Sequence, residues 1–165
     1  MIDTATQKLI EQTCQNYVIP AALIYSLIYQ ESGGNPFAYR FEPVFYAKKI
    51  IWRTPPQLAG YVPASIPTLA TEKVARATSW GLMQIMGETA RVIGYRKNNL
   101  TELLIPADNI EVGCKYYAHL LATRARSEKT KHEDALLAYN GGKDYPAKVL
   151  KHLKNERFRE MFASA

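Results

Sequence analysis

The chain has 165 residues, of which 47% are hydrophobic and 22% charged, with a formal net charge of +6. That length suits one domain with a sizeable core, and the composition excludes a disordered chain. The charge favours an anionic partner without choosing among nucleic acid, lipid and wall polymer. No nucleic-acid-binding signature is present, and no apolar run reaches the roughly 20 residues that cross a bilayer.

The elements read almost entirely as helices. Met1-Ile2-Asp3-Thr4 puts no basic segment ahead of an apolar stretch, so no Sec-type signal peptide is expected. Thr4 to Asn16 carries Leu9, Ile10 and Thr13 on one side and polar residues opposite, an amphipathic pattern. Pro20 suits the first turn of a second helix reaching about Ser32. Its stripe of Leu23, Ile24, Leu27 and Ile28 sits on a segment apolar nearly all round, which predicts a central position. Residues 33–70 are the least regular, with Pro36, Pro43, Pro55, Pro56, Pro63 and Pro67. A short helix from Val44 to Trp52 is expected there, and a short hairpin within residues 37–66 is the one place where strands are allowed.

Helices then resume at Thr71 to Ala77, Trp80 to Met86 and Glu88 to Ile93, with Gly87 and Gly94 as breaks. Pro106 opens a long helix to about Arg126, with Ile110, Cys114, Tyr117 and Leu121 on one face. Thr130 is the predicted cap of His132 to Tyr139, which Gly141-Gly142 ends. Pro146 starts Ala147 to Leu153, and a basic tail runs to Ala165. There is no internal repeat.

The most informative residue is Glu31. It ends the apolar run Val18 to Tyr29 after a single Gln30, and Ser32-Gly33-Gly34-Asn35-Pro36 breaks the helix behind it. A carboxyl at the end of a buried helix is poorly solvated, which favours its neutral form and suits it to protonate a leaving group. The alternative is a helix-end Glu with its head in water and Gly33 as the C-cap. Cys14 and Cys114 lie in different helices without metal-ligand spacing and are expected as free, buried thiols. His119, His132 and His152 also lack such spacing, so neither a metal nor any other cofactor is expected.

Four short motifs follow one another: Glu31-Ser32, Gly81 to Met86 (Gly-Leu-Met-Gln-Ile-Met), Pro106-x-x-Asn109-Ile110-x-x-Gly113-x-x-Tyr116, and Ala138 to Gly142 (Ala-Tyr-Asn-Gly-Gly). In this order they resemble the soluble lytic transglycosylase (SLT) family of goose-type-lysozyme-like muramidases, over roughly Pro20 to Gly142. Arg40-Phe41-Glu42-Pro43 and Ser79-Trp80 resemble variants encoded by phages and prophages.

The resemblance implies a mainly α, lysozyme-like helical domain with a groove for peptidoglycan glycan strands. It implies cleavage of the β-1,4 bond after N-acetylmuramic acid, with Glu31 as the catalytic acid and then base, and a 1,6-anhydro product. Gln84 and Met86 match groove residues, Tyr139 and Asn140 match a Tyr-Asn pair beside the acid, and Ser32 follows the Glu. Gln84 offers a donor and an acceptor to an N-acetyl group, and the Tyr139 hydroxyl is placed to hold Glu31 or an acetamido group.

Glu31 and Gly81 stand farther apart than the family pattern has them. An inserted loop region at about residues 43–78 is therefore expected within a single domain spanning 1–165. Glu42 is a possible second carboxylate. If it activates water across the groove, the enzyme is a hydrolytic muramidase; otherwise Glu42 pairs with Arg40 or caps the next helix. A non-catalytic wall-binding or virion module is the remaining alternative. The basic segment Lys143 to Arg159 suits an anionic wall. A monomer is expected, without nucleic acid or an integral membrane segment, reaching the wall as a phage-encoded, virion-associated or holin-released protein.

Overall fold

Helix α1 (Thr4–Tyr17) starts where Asp3 Oδ1 accepts the Thr6 N–H at 2.7 Å, satisfying a donor that the first turn leaves open. The computed structural model describes residues 2–64 and 68–154. The α1 C-cap is Val18, in the left-handed region at φ 54°. Helix α2 (Ala21–Ser32) follows Pro20 and buries Leu23 to Ile28, so it is central as its composition implies. It stops at Gly33, whose left-handed φ of 62° lets its N–H reach the Tyr29 carbonyl at 3.0 Å.

The next stretch differs from expectation. Strand β1 (Tyr39–Phe41) leads into α3 (Pro43–Phe45) and a π-helical turn, Tyr46–Ile50. A 3₁₀ turn, Pro55–Gln57, and helix α4 (Leu69–Arg76) come before β2 (Thr78–Trp80). No hairpin forms within residues 37–64. β1 instead pairs antiparallel with β2, Arg40 opposite Ser79, and β2 pairs with β3 (Ile85–Met86), Ser79 opposite Met86. The segment Trp80 to Met86, expected as a helix, is therefore strand, turn and strand. Gly81 and Gln84 take φ of 68° and 47°, which an α-helix excludes. Leu82, Met83 and Ile85 are buried, so the apolar pattern that suggested a helix records burial of a tight turn.

Helices α5 (Gly87–Val92), α6 (Pro106–Arg124), α7 (Lys131–Asn140) and α8 (Tyr145–Leu153) complete the described chain, with a 3₁₀ turn at Leu100–Leu104. α6 packs on α1 and α7, and α8 packs on α2 and α7. The mainly α class is as expected. Cys14 and Cys114 are buried and free, as expected, and face each other across the α1–α6 interface. The basic tail expected beyond Lys154 lies outside the described residues.

The stretch from Ala59 to Arg76 is anchored by buried charge. Arg76 and Arg91 are wholly buried. Arg76 donates to Glu72 (2.9 Å), to Glu88 (2.7 Å) and to the carbonyls of Ala59 and Tyr61. Arg91 donates to both Glu72 oxygens, at 2.8 and 3.1 Å, and to the carbonyls of Tyr95, Lys97 and Asn98. Composition suggested a solvated cationic face, which these two residues do not join.

Candidate active site around Glu31

Glu31 occupies the last turn of α2, half-buried, because the Gly33 turn stops the helix while its apolar body is packed under α8. One carboxyl oxygen accepts a hydrogen bond from the Tyr145 hydroxyl. Burial pushes the Glu31 carboxyl above the ordinary carboxylate range; the Tyr145 hydrogen bond and the Arg40 charge pull the other way. The same burial, with the Glu31 charge next, raises the Tyr145 hydroxyl pKa, so it remains a donor. Glu31 opens onto a cavity of about 330 Å³ lined also by Arg40, Asn140, Lys143, Tyr145 and Lys148.

Tyr139 was expected to hold Glu31 or an acetamido group of the substrate, and the first of these is corrected. The Tyr139 hydroxyl donates to the Met83 carbonyl at 2.7 Å. Tyr139 instead stacks on Tyr145, with ring centroids 6.4 Å apart and planes 8° from parallel, and so backs the ring that holds Glu31. Met83 is gripped from its other side, where Asn109 Oδ1 accepts its N–H at 2.8 Å. The buried Asn109 amide also donates to the Trp80 and Leu103 carbonyls. A side chain at Gly81 would place its Cβ 2.4 Å from the Leu103 carbonyl oxygen, so only glycine fits this turn. The motifs thus meet physically: Asn109 and Tyr139 hold the Gly81–Gln84 turn, and Tyr139 backs Tyr145 against Glu31.

The other candidates separate. Asn140 ends α7 and lines the Glu31 cavity. Gln84 is half-buried, but both amide hydrogens are committed, to the carbonyls of Gly81 (2.9 Å) and Ala38 (3.1 Å). The donor expected from it is therefore spent on the turn. Met86 is half-buried in β3. The Ser32 hydroxyl donates to Ile28 O at 3.2 Å and accepts from Gly34 N–H, a local use that closes the turn behind Glu31. Glu42 accepts from Arg40 Nε at 2.6 Å and is absent from the cavity lining. It makes no side-chain cap to α3. Among the described residues no cluster of three or more His, Cys, Asp or Glu side chains could hold a metal.

Tyr145 was not singled out from the sequence. Its available signal was its place three residues beyond Gly142 and directly before Pro146, at the start of a helix whose return path follows the Gly141 turn. Arg40 was noted as part of the Arg40–Pro43 motif and as a possible partner for Glu42, not as a neighbour of Glu31.

Comparison with curated proteins and with solved structures finds no match. Residues 8–162 match the family model described as Transglycosylase SLT domain. With that match spanning nearly the whole chain over a mainly helical fold, the protein belongs to the transglycosylase SLT domain family and carries its lysozyme-like architecture.

Proposed function

We propose that the chain is a peptidoglycan lytic transglycosylase in which Glu31 is the acid and then the base. The observation that carries this reading is the half-buried Glu31 carboxyl, held by the Tyr145 hydroxyl at the edge of an open polar cavity. Burial favours the protonated form that a leaving oxygen requires.

Glu31 gives its proton to the glycosidic oxygen as the bond to the muramic anomeric carbon breaks. The N-acetylglucosamine side leaves with a free 4-hydroxyl, and positive charge develops on the muramic ring. The Glu31 carboxylate, now stabilised by Tyr145 and the nearby Arg40 charge, takes the proton of the muramic 6-hydroxyl. That oxygen closes on the anomeric carbon to give the 1,6-anhydro ring, and Glu31 is protonated again. Asn140 sits on the cavity wall, where its amide can meet the sugar; Gln84 offers an acceptor only.

The commitment of Glu42 to Arg40, away from the cavity lining, favours this route over the hydrolysis in which Glu42 activates water. Mass spectrometry of the products tests it. Anhydro-muramic ends support the proposal, and reducing ends return the hydrolytic muramidase reading. Glu31→Gln should fold and lose wall cleavage by at least a hundredfold, on the order of what a general acid supplies. Retention of wall cleavage by that variant removes Glu31 from the chemistry, and wall binding without cleavage by the native chain leaves a binding module.

A further inference from the structure

Lys143 and Lys148 line the Glu31 cavity from the α8 side, and Arg40 lines it from β1. Arg40 is clamped at Nε by Glu42. Neither lysine makes an ion pair or side-chain hydrogen bond among the described residues, although Lys73, Lys97 and Lys131 all do. Asp144 and Glu31 are the acids on the same lining.

Of these cations, Arg40 already works against the proton donor, because positive charge favours the ionised carboxylate, and the two lysines leave further positive charge on the same wall without a partner among the described residues. The arrangement costs less once a ligand brings its own negative charge to meet them. The site already accepts a glycan in the reading above, and the anionic groups a muramic residue carries are the carboxylates of its lactyl-linked peptide.

We propose that Lys143 and Lys148, facing Arg40, form a subsite for the peptide carboxylates of a muropeptide, making the enzyme selective for glycan with free acidic stems. This deepens the proposed function and rests on it. Bound carboxylate neutralises the wall of cations while Glu31 holds its proton. Amidated glycan lacks the charges that these two lysines meet, and peptide-free glycan keeps only the lactyl carboxylate.

The test compares initial rates at limiting substrate on two preparations of sacculi free of phosphate-bearing wall polymers. One keeps its peptide carboxylates; the other has them amidated by carbodiimide coupling. The native chain should cleave the amidated sacculi about tenfold more slowly, the scale of two partly exposed ion pairs. Lys143→Gln/Lys148→Gln should slow to a similar degree on untreated sacculi and lose the preference. Lys8→Gln/Lys129→Gln, which removes the same charge from exposed positions outside this cavity lining, should keep it. Equal rates of the native chain on both preparations, an unchanged preference in the Lys143/Lys148 variant, or equal loss in the control each overturn the subsite while leaving the glycosidase reading intact. Cleavage of neither preparation by the native chain overturns both.

Discussion

At Glu31, burial and hydrogen bonding oppose each other, and the balance has measurable consequences. The folded pKa is raised, so the folded state holds a proton that the unfolded chain releases at lower pH. The stability contributed by neutral Glu31 is therefore complete below the unfolded carboxyl pKa and declines as pH rises through the folded one. Glu31→Gln stays neutral, so its Tm should exceed that of the native chain at pH 7, and the gain should vanish below about pH 4. Tyr145→Phe removes a group that pulls the Glu31 pKa down. The alkaline limb of the rate profile, set by loss of the Glu31 proton, should move to higher pH. The rate itself should fall roughly ten- to hundredfold, because the carboxylate formed in the reaction loses a charge-assisted donor. An unmoved alkaline limb would mean that Tyr145 only fills space. Val18 is a separate matter: a β-branched, 88% exposed residue at φ 54°. Val18→Gly should raise stability by roughly 0.5–1 kcal/mol, read as an increase in denaturant midpoint, since strain is relieved and no packing is lost.

At the scale of elements, the Gly81–Gln84 turn is held in shape by distant partners. Asn109 on α6 satisfies one amide hydrogen of the turn and two carbonyls near it. Asn109→Leu leaves those groups buried without partners, which should cost about 3 kcal/mol or more in urea unfolding. Activity should fall with it, because the turn is where Tyr139 anchors. The α4–α5 contact is as tight. A Cβ at Gly87 would lie 2.3 Å from the Ala75 carbonyl oxygen, so Gly87→Ala must push the two helices apart. This shows how much a sequence reading could see here. The motif glycines were visible, but Gly87 was read as a break between helices rather than as the point where α4 and α5 touch. Assigning residues 80–86 to a helix failed because apolar spacing reports burial, whereas positive φ at Gln84 is supported by a hydrogen-bond set drawn from Ala38, just ahead of β1, and from α6.

Across the whole molecule, charge is divided between two tasks. Glu72, Arg76, Glu88 and Arg91 form a buried, mutually satisfied network that fastens α4 to α5. Arg76→Met would remove one of two cationic partners of Glu88, the other being Arg53, together with the donors to two carbonyls and one bond of Glu72, and should destabilise by roughly 3–5 kcal/mol. Screening by salt should change this stability little, because the pairs are dry. Binding to the wall should instead weaken steeply between low and high salt, since the exposed lysines act through solvent. No described helix is long and apolar enough to cross a membrane.

The sequence alone determined the helical class and the central place of α2, and it singled out Glu31 as the proposed acid. Each of these is written in short-range chemistry: an apolar run, a glycine stop, a carboxyl between them. Only the tertiary structure decided who serves that acid. Tyr145, Arg40 and the two lysines reach Glu31 across loops that local pattern cannot fold. Tyr139 and Gln84, both members of the motifs, spend their hydroxyl and amide hydrogens on backbone carbonyls that no sequence reading could have placed within reach.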